Sequence, residues 1–331
     1  MLWTEKYRPA SSREIVGQDP VIRHLTSFAG CGTVPHLILS GPHGTGKSVA
    51  IECFAKDLYK ENWEQNTTVF QTAEIFLQGK AMLEQDERYA HLFQKNQSLI
   101  NNFKYIIKWY ASLRPLDAEF KLLVFEDAHA LTREAQQALR RIMEQTSGTC
   151  RFIFSTTNQS AIIPAITSRC LPLYFAPVEQ GVMLTRLRMI QECEKADSTA
   201  CCDDDLDLIV QTAAGDLRRA ILLLQVALVT GKCQDLFGIA QSETANIAAS
   251  AIAALREGDA RSATRRFESL MIDCGLSGSE VLLAIRTILQ REYNHPALAI
   301  AIADAEYRMQ HANNEYIQMG ALTAGIREIF T

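Results

Sequence analysis

The chain lacks the long apolar runs and the excess of basic residues that mark membrane proteins and general nucleic-acid binders. No apolar run in its 331 residues approaches the ~20 that a membrane-spanning helix needs. Lys and Arg total 33 against 38 Asp and Glu, so the net charge is −5 and any DNA contact must use a local basic face. The charged pair Glu5 and Lys6 interrupts the N-terminus, unlike a signal peptide. We therefore expect a cytoplasmic protein with no membrane segment.

The cysteines lack the spacing of a disulfide framework or a zinc site. There are nine of them, an odd number, and no Cys-x-x-Cys pair. Only Cys201 and Cys202 are close, and adjacent residues make a poor zinc site. We expect reduced thiols, as in cytoplasmic proteins. Repeats and low-complexity linkers are also missing, so the length suits two or three globular domains.

A phosphate-binding loop of the form G-x-x-x-x-G-K-[ST] is present. It follows the apolar run His36–Ser40 and precedes a stretch with helical spacing, residues 49–56. In that context the glycines let backbone N–H groups point inward around a polyphosphate, and the helix N-terminus adds partial positive charge. Lys47 would reach the β- and γ-phosphates, and the Ser48 hydroxyl would ligate Mg²⁺. The pattern predicts a nucleoside triphosphate site made of Gly41, Pro42, His43, Gly44, Thr45, Gly46, Lys47 and Ser48.

The order of patterns along the chain predicts one α/β domain followed by two helical ones. Continuous apolar runs at His36–Ser40, Lys121–Phe125 and Arg151–Ser155 are typical of parallel strands buried on both faces. A helix capped by Thr132 falls between the last two runs. A last strand and a linker follow over residues 171–177, and only helical patterns come after them. We predict domains over residues 1–175, 176–235 and 236–331.

Several short motifs follow one another in a characteristic order. They are Trp3–Pro9, Ile15–Gln18, the phosphate loop, Phe125–Arg141, Cys150–Ile153, Ser168–Cys170 and Gly215–Ala220. In this order they resemble the small subunit of replication factor C, the sliding-clamp loader of archaea and eukaryotes, which is an AAA+ ATPase. The resemblance covers nearly the whole chain and extends to the collar-like residues 275–278 and 312–318. The chain looks like a divergent, second type of small subunit.

The resemblance implies an architecture, cofactors and partners. An AAA+ P-loop domain with a mostly parallel sheet would carry a small helical lid and an all-helical collar for oligomerisation. The chain would join other large and small subunits in a heteropentameric ring. That ring would use ATP, with Mg²⁺, to open the sliding clamp and load it onto primer–template DNA. In a prokaryote this work would lie near the nucleoid.

Residue roles carry over from the motifs of the family. Arg218 matches the second sensor, which reaches the γ-phosphate of its own subunit, and Arg169 matches the finger that acts in trans on the neighbouring site. An always-charged fork of donors suits the spread charge of a transferring phosphoryl group. The residues implied near the adenine are Tyr7, Arg8, Pro9, Val16 and Gly17.

The helix predicted around residues 103–110 is the implied DNA contact. Lys104 and Lys108 lie one turn apart on it, away from the apolar face of Ile100, Phe103 and Ile107. In the family, basic residues of this helix contact duplex phosphates, which is a sequence-independent interaction. A solvated lysine pair is the alternative. The preceding segment 71–100 is longer than the family's short turn, and we consider clamp contact and subunit identity as its roles.

The acidic pair that should serve the metal and the attacking water departs from the family. The usual ending Asp-Glu-Ala-Asp is replaced by Glu126, Asp127, Ala128 and His129. One carboxylate then reaches a methylene too far and the other falls a methylene short, while Mg²⁺ tolerates little departure from octahedral geometry. With Glu126 still serving Mg²⁺ through water, we expect ATP binding with slow hydrolysis. A shifted backbone that restores both roles is the alternative.

The first sensor also differs, because the family has Asn where this chain reads Ser155-Thr156-Thr157-Asn158. Thr157 aligns best, and its hydroxyl can still bond a phosphate oxygen or a water. Asn158 is one residue away and is the other candidate.

Three functions are open from the sequence. The first is an ATP-hydrolysing clamp-loader subunit, and the second is an ATP-binding but hydrolysis-weak member of the same ring, which the order of Glu126 and Asp127 favours. The third is a related machine, either a checkpoint clamp loader or a branch-migration helicase. A winged-helix pattern is missing and the opening motif is present, which argues against the helicase. A nucleotide kinase lacks support, because the chain shows no acceptor-binding lid.

Overall fold

The computed structural model of the chain describes residues 1–194, 202–230, 243–273, 276–292, 296–309 and 314–330. The chain divides into two compact units, Met1–Gly231 and Lys232–Thr331. The predicted division of the first part near residue 175 stays a prediction. The second predicted boundary, near residue 235, lies outside the described residues, and so do residues 275, 312 and 313 of the collar-like motifs.

The described part of the first unit contains a parallel sheet whose strand order is β2-β3-β4-β1-β5. The sheet confirms the predicted α/β class, and three of its strands lie on the three apolar runs. The strand β2 has no counterpart among the predictions, because Thr67, Thr68 and Gln71 leave it only two consecutive apolar residues. The strands are β1 His36–Ser40, β2 Thr67–Gln71, β3 Lys121–Glu126, β4 Cys150–Thr156 and β5 Cys170–Tyr174.

Helices cover both faces of this sheet, which the alternation along β3 makes clear. Leu123 and Phe125 enter one hydrophobic cluster, whereas Leu122 and Val124 enter another. The helices of this unit are α1 Trp3–Lys6, α2 Asp19–Cys31, α3 Lys47–Tyr59, α4 Trp63–Asn66, α5 Thr72–Gln78, α6 Lys80–Gln85, α7 Glu87–Ala90, α8 Leu99–Ser112, α9 Arg133–Gln145, α10 Pro164–Thr167, α11 Gln180–Cys193, α12 Asp203–Ala213 and α13 Leu217–Thr230. Short 3₁₀ turns occur at Ser12–Glu14, Lys60–Asn62, Ala128–Ala130 and Gln159–Ala161.

The helices α8 and α9 both begin at a hydroxyl cap. Thr132 Oγ1 accepts a hydrogen bond from the amide of Ala135 at 3.3 Å, which confirms the predicted start of α9. Ser98 Oγ accepts one from the amide of Asn101 at 3.2 Å, which begins α8. Such caps satisfy an amide that has no partner within the helix and typically contribute about 1 kcal/mol.

The long segment 71–100 folds into the three short helices α5, α6 and α7. Gly79, with φ +67°, separates the first two, and Asp86 caps the third. Ile75, Leu83 and Tyr89 from this segment are buried in the cluster that covers one face of the sheet. The segment is therefore part of the packed domain. Its roles in clamp contact or subunit identity stay predictions.

The second unit is helical in all its described residues, as predicted. Its helices pack around Phe267, Leu270, Val281, Ile285, Met319 and Ile326, all fully buried. Across the described chain we find no helix long and apolar enough to span a bilayer. The helices are α14 Glu243–Arg256, α15 Ala260–Ile272, α16 Gly278–Glu292, α17 Pro296–Met309 and α18 Glu315–Phe330.

Candidate nucleotide-binding site

The loop formed by residues 41–48 joins the interior strand β1 to α3 at the carboxyl edge of the parallel sheet. Gly44 and Gly46 have φ of +66° and +96°, a left-handed conformation that glycine adopts without steric cost. A Cβ on Gly44 would lie 1.7 Å from Oδ1 of Asp216, so only a hydrogen fits there. The absence of a side chain at Gly44 therefore lets the loop backbone approach Asp216 closely.

The donors of this loop fit an anion. The amides of Gly44 and Gly46 donate no hydrogen bond to any residue that the structure describes. Lys47 Nζ donates to the carbonyl oxygens of Gly41 at 2.7 Å and Pro42 at 2.6 Å. Partial burial lowers the pKa of the Lys47 ammonium, while the nearby Asp127 carboxylate opposes that shift. Free amides at a helix N-terminus and an ammonium held only by carbonyls make a phosphate-binding donor set.

The loop forms one wall of a cavity of about 620 Å³ in the first unit. Aliphatic side chains, among them Ile15, Val178 and Ile221, contribute to its other walls. The cavity brings together residues that are far apart in sequence. The predicted site residues that line it are Tyr7, Arg8, Pro9, Val16, His43, Gly44, Thr45, Gly46, Lys47, Ser48, Glu126, Asp127, Thr157 and Arg218.

Three predicted residues support this wall through the backbone. The amide of Gly41 donates to the carbonyl oxygen of Thr156 at 3.2 Å, and a Cβ on Gly41 would lie 2.2 Å from the carbonyl oxygen of Phe175. Gly17, with φ +74°, leaves 3.0 Å between an added Cβ and Val178. The third is Pro42, whose carbonyl also accepts the Thr45 hydroxyl at 2.9 Å.

The two acids end β3 in an unusual turn. Gln71 Nε2 donates to Glu126 Oε2 at 2.6 Å, and these residues are direct partners in the register of β2 and β3. Asp127 adopts φ +50° and ψ +45°, which is uncommon for any residue but glycine. The buried Thr72 hydroxyl contacts the carbonyl oxygens of both acids. The sheet thus keeps Glu126 in register, and the chain turns sharply at Asp127.

The two candidates for the first sensor lie in different surroundings. Thr157 lines the cavity together with Ser155. Asn158 Oδ1 accepts hydrogen bonds from the amide of Ser160 at 3.1 Å and from its hydroxyl at 2.6 Å. The side-chain oxygen of Asn158 is therefore engaged in a local turn, and Thr157 is the candidate that lines the cavity.

The turn that precedes Arg218 lies directly against the phosphate loop. The carbonyl oxygen of Gly215 accepts the amide of Val178 at 3.1 Å. Asp216 Oδ1 accepts the amide of Arg219 at 2.9 Å at the start of α13, and the same carboxylate contacts Gly44. Arg218 follows on the cavity wall, and its charge contributes to lowering the pKa of Lys47.

The remaining predicted residues lie off this wall. Arg169 Nη2 forms an ion pair with Glu144 Oε1 at 2.6 Å, and its Nη1 donates to the carbonyl oxygen of Ala165 at 2.8 Å. Lys104 and Lys108 are exposed on α8. The positions of Arg169, Lys104 and Lys108 are compatible with contacts to a neighbouring subunit and to DNA. Those roles stay predictions.

Comparison with known proteins places the chain in a family. Residues 17–179 match the family described as DNA polymerase III, delta subunit. The replication factor C small subunit of Picrophilus torridus is 35% identical and covers 99% of this chain and 98% of its own length. That of Archaeoglobus fulgidus is 33% identical, with 98% and 96% covered. The chain belongs to the replication factor C small-subunit family. This confirms the resemblance drawn from the motifs and supports a clamp-loader role.

Solved structures with a similar fold support the architecture of this replication factor C family member. One mutant of RuvB from Thermotoga maritima has a TM-score of 0.54 and 14% identity, covering 89% of this chain and 91% of that one. A second mutant of the same RuvB gives 0.53 and 15%, with the same coverage. At such identities the likeness shows the AAA+ fold alone, which is a nucleotide-binding fold.

Four further residues at or near the cavity carry little signal in the sequence. Gln71 lies at the end of a strand too polar to predict, and Thr72 follows it. Arg186 lines the cavity from α11, where its spacing matches an ordinary helical surface. Asp216 belongs to a motif, but its contact with Gly44 joins residues 172 positions apart. The one signal that points to Gln71 is its position directly after the short apolar stretch Val69-Phe70.

Proposed function

We propose that the chain is an ATP-binding subunit of a replication factor C clamp loader whose own site hydrolyses ATP slowly. The observation that carries the proposal is the cavity itself. It gathers the phosphate loop, the acids at the end of β3 and Arg218 within one fold unit. Family membership supplies the context of a clamp loader.

The residues that would hold the nucleotide follow from the donor set. The free amides of Gly44 and Gly46 and the ammonium of Lys47 would bind the phosphates, and Lys47 would exchange two carbonyl oxygens for phosphate oxygens. The Ser48 hydroxyl and the water shell near Glu126 would hold Mg²⁺. When bound, Mg²⁺ would neutralise charge on the phosphates. Tyr7, Pro9 and Val16 would line the nucleoside part.

Slow hydrolysis is favoured by how the acids are held. Glu126 is longer than the aspartate it replaces, and one of its oxygens is already bonded to Gln71. Asp127 is shorter than the usual glutamate and starts from a left-handed backbone. A misplacement of ~1 Å costs ~10²-fold in rate. A fully active ATPase is the second candidate. Asp127 is shorter than the usual glutamate, but its left-handed backbone also changes the direction of its carboxylate and could compensate for the lost length.

The proposed partners follow from residues outside the cavity. Arg169 would complete the site of a neighbouring subunit, and it would leave Glu144 to do so. Lys104 and Lys108 would contact primer–template DNA from α8 through phosphate charge alone. The sliding clamp and other replication factor C subunits complete the set.

Titration of the purified chain with ATP by calorimetry, with Mg²⁺ and with EDTA, tests the core of this proposal. We expect Mg²⁺-dependent binding in the wild type and a large loss in Lys47→Ala. Steady-state turnover should be slow, alone and with companion subunits. Absence of Mg²⁺-dependent affinity for adenine nucleotides in both settings would refute nucleotide binding. Capture of the replicative clamp, against a checkpoint clamp as the matched control, separates the two kinds of loader.

A further inference from the structure

An N-terminal strap, defined here as residues 3–8, connects three helices around the cavity. The amide of Trp3 donates to Oε1 of Gln225 on α13 at 2.9 Å. At its other end Arg8 forms an ion pair with Glu52 on α3 at 2.7 Å. The strap thus joins the helix that begins at the phosphate loop to helices from the later part of the same unit.

Glu194, the residue that directly follows α11, accepts hydrogen bonds from two residues of this strap. Its Oε1 accepts a hydrogen bond from Lys6 Nζ at 2.6 Å and another from Tyr7 Oη at 2.7 Å. The bond from Lys6, and then that from Tyr7, lower the pKa of the Glu194 carboxyl, so it is ionised near neutral pH. Burial, and then the bond to Glu194, raise the pKa of the Tyr7 phenol, which therefore stays a donor.

Tyr7 is the part of the strap through which Glu194 reaches the site. Tyr7 is half-buried and lines the cavity with Arg8 and Pro9, whereas Glu194 is not among the lining residues and accepts the hydrogen bond of the Tyr7 phenol. Arg186 Nη2 also donates to the carbonyl oxygen of Tyr7 at 3.1 Å. The phosphate loop already supplies the amides and the ammonium for an anion. The lining residues Tyr7, Ile15 and Val178 therefore remain available to an uncharged part of the ligand.

We propose that Glu194 is a positioning residue for the nucleoside part of the bound nucleotide. It holds Tyr7 against the cavity through the phenol hydroxyl and sets the affinity for the nucleoside without touching the phosphate loop. This inference rests on the proposed function. Glu194 does not line the cavity, yet it would contribute to the part of the ATP affinity that depends on the base and sugar.

The experiment compares two probes on the same variants, ATP and inorganic tripolyphosphate, by calorimetry with Mg²⁺. Glu194→Ala and Tyr7→Phe each remove the phenol–carboxylate hydrogen bond, which is worth roughly a tenfold change in affinity. We expect both variants to bind ATP about five- to tenfold more weakly and tripolyphosphate like the wild type. Glu194→Gln retains an acceptor for the phenol and should recover most of the ATP affinity.

Lys6→Ala is the matched control, because it removes the exposed ion pair to the same oxygen and leaves the phenol bond. It should bind ATP within about twofold of the wild type. The double variant Glu194→Ala, Tyr7→Phe should be no weaker than either single variant, because both remove one interaction. Thermal unfolding checks that each variant is folded, and Tyr7→Phe carries the test if Glu194→Ala is not.

Wild-type ATP affinity in Glu194→Ala or Tyr7→Phe would overturn this inference. An equal loss for ATP and tripolyphosphate would also overturn it, because the effect would then be a general one on the fold. A wild-type chain that binds neither probe would instead overturn the proposed function, and the inference with it. The two failures are therefore told apart by the wild-type titration.

Discussion

The side-chain amide of Gln71 is 2.6 Å from Oε2 of Glu126, and the two residues are opposite each other in neighbouring parallel strands. One carboxylate oxygen of Glu126 is therefore engaged before any ligand is considered, and the other has no hydrogen-bond partner in the part of the chain that the structure describes. The end of β2 thus fixes the direction of the first acid.

Replacing Gln71 by Leu should change how the site responds to Mg²⁺. Leucine is one bond shorter than glutamine and has no donor, so the Glu126 carboxylate is no longer oriented. Loss of a hydrogen bond to a charged group is worth about 1.5–3 kcal/mol, so the Mg²⁺ concentration for half-maximal ATP binding should rise about tenfold. Titrations of ATP binding against Mg²⁺ measure this. Binding in EDTA should not change, and an unchanged Mg²⁺ midpoint would count against the role of Gln71.

Restoring the family's acid order should raise turnover. In the double variant Glu126→Asp, Asp127→Glu, each carboxylate regains the reach that the metal and the attacking water require. Because a misplacement of ~1 Å costs ~10²-fold, we expect at least about a tenfold gain in steady-state ATPase rate. Asp127→Ala is the control and should scarcely lower an already slow rate. Wild-type turnover that Asp127→Ala abolishes would instead assign Asp127 a working catalytic role.

Gly44→Ala should destabilise the contact between the phosphate loop and the turn at Asp216. The new Cβ would lie 1.7 Å from the Asp216 carboxylate at φ +66°. Gly79→Ala is a matched control, since Gly79 has φ +67° but nothing within 4 Å of an added Cβ. The control should cost about 1–2 kcal/mol in the free energy of unfolding, and Gly44→Ala more.

Denaturant titration measures the difference between these two variants, and calorimetry measures ATP binding. Only Gly44→Ala should lose ATP affinity. Adding Asp216→Ala to Gly44→Ala should recover part of the lost stability, because it removes the clashing carboxylate. Equal costs in the two single variants would mean that the Asp216 contact contributes nothing.

Ala214→Gly should stabilise the protein. Ala214 directly follows α12 and has φ +49°, where a Cβ is unfavourable and glycine is not. We expect a gain of about 1 kcal/mol in the free energy of unfolding. Ala213→Gly, at the buried last residue of the helix, should lower stability by about 1 kcal/mol. The opposite signs are the test, and equal losses would contradict it.

Stability should fall as the pH drops below 6.5, in part because of His36. Burial, and then the charge of Arg151, lower the pKa of His36 from 6.5 to about 4, and its Nδ1 accepts the amide of Phe152 at 3.1 Å. Between these values the unfolded chain binds a proton that the native chain does not, so the free energy of unfolding decreases as the pH falls toward 4. His36→Gln should flatten this dependence between pH 6.5 and 4. An equal slope in both proteins would exclude His36 as the source.

The parts of the site that follow from local sequence were predictable, and the parts that depend on tertiary contact were not. The phosphate loop between β1 and α3, the burial of β3 and β4 and the cap at Thr132 all rest on residues within a few positions of one another. The strand that ends at Gln71 is polar at both ends and is held in the sheet by its pairing with β3.

Contacts between distant residues leave no periodic signal. Glu194 and Tyr7 are 187 positions apart, and neither the acid nor the helix that precedes it looks different from an ordinary helix end. The sequence also gives no sign of the left-handed backbone at Asp127, because aspartate is common both in turns after strands and at helix starts. Only packing decides which of these it becomes.

The hydroxyl of Thr72 has one proton and two carbonyl neighbours, those of Glu126 and Asp127. It can donate to only one of them at a time, so one peptide group always lacks that bond. Rotation of the Thr72 hydroxyl about its Cβ–Oγ1 bond redirects the hydrogen bond from one carbonyl oxygen to the other. The two peptide groups that flank Asp127 are therefore tethered by one shared donor, which can serve either carbonyl.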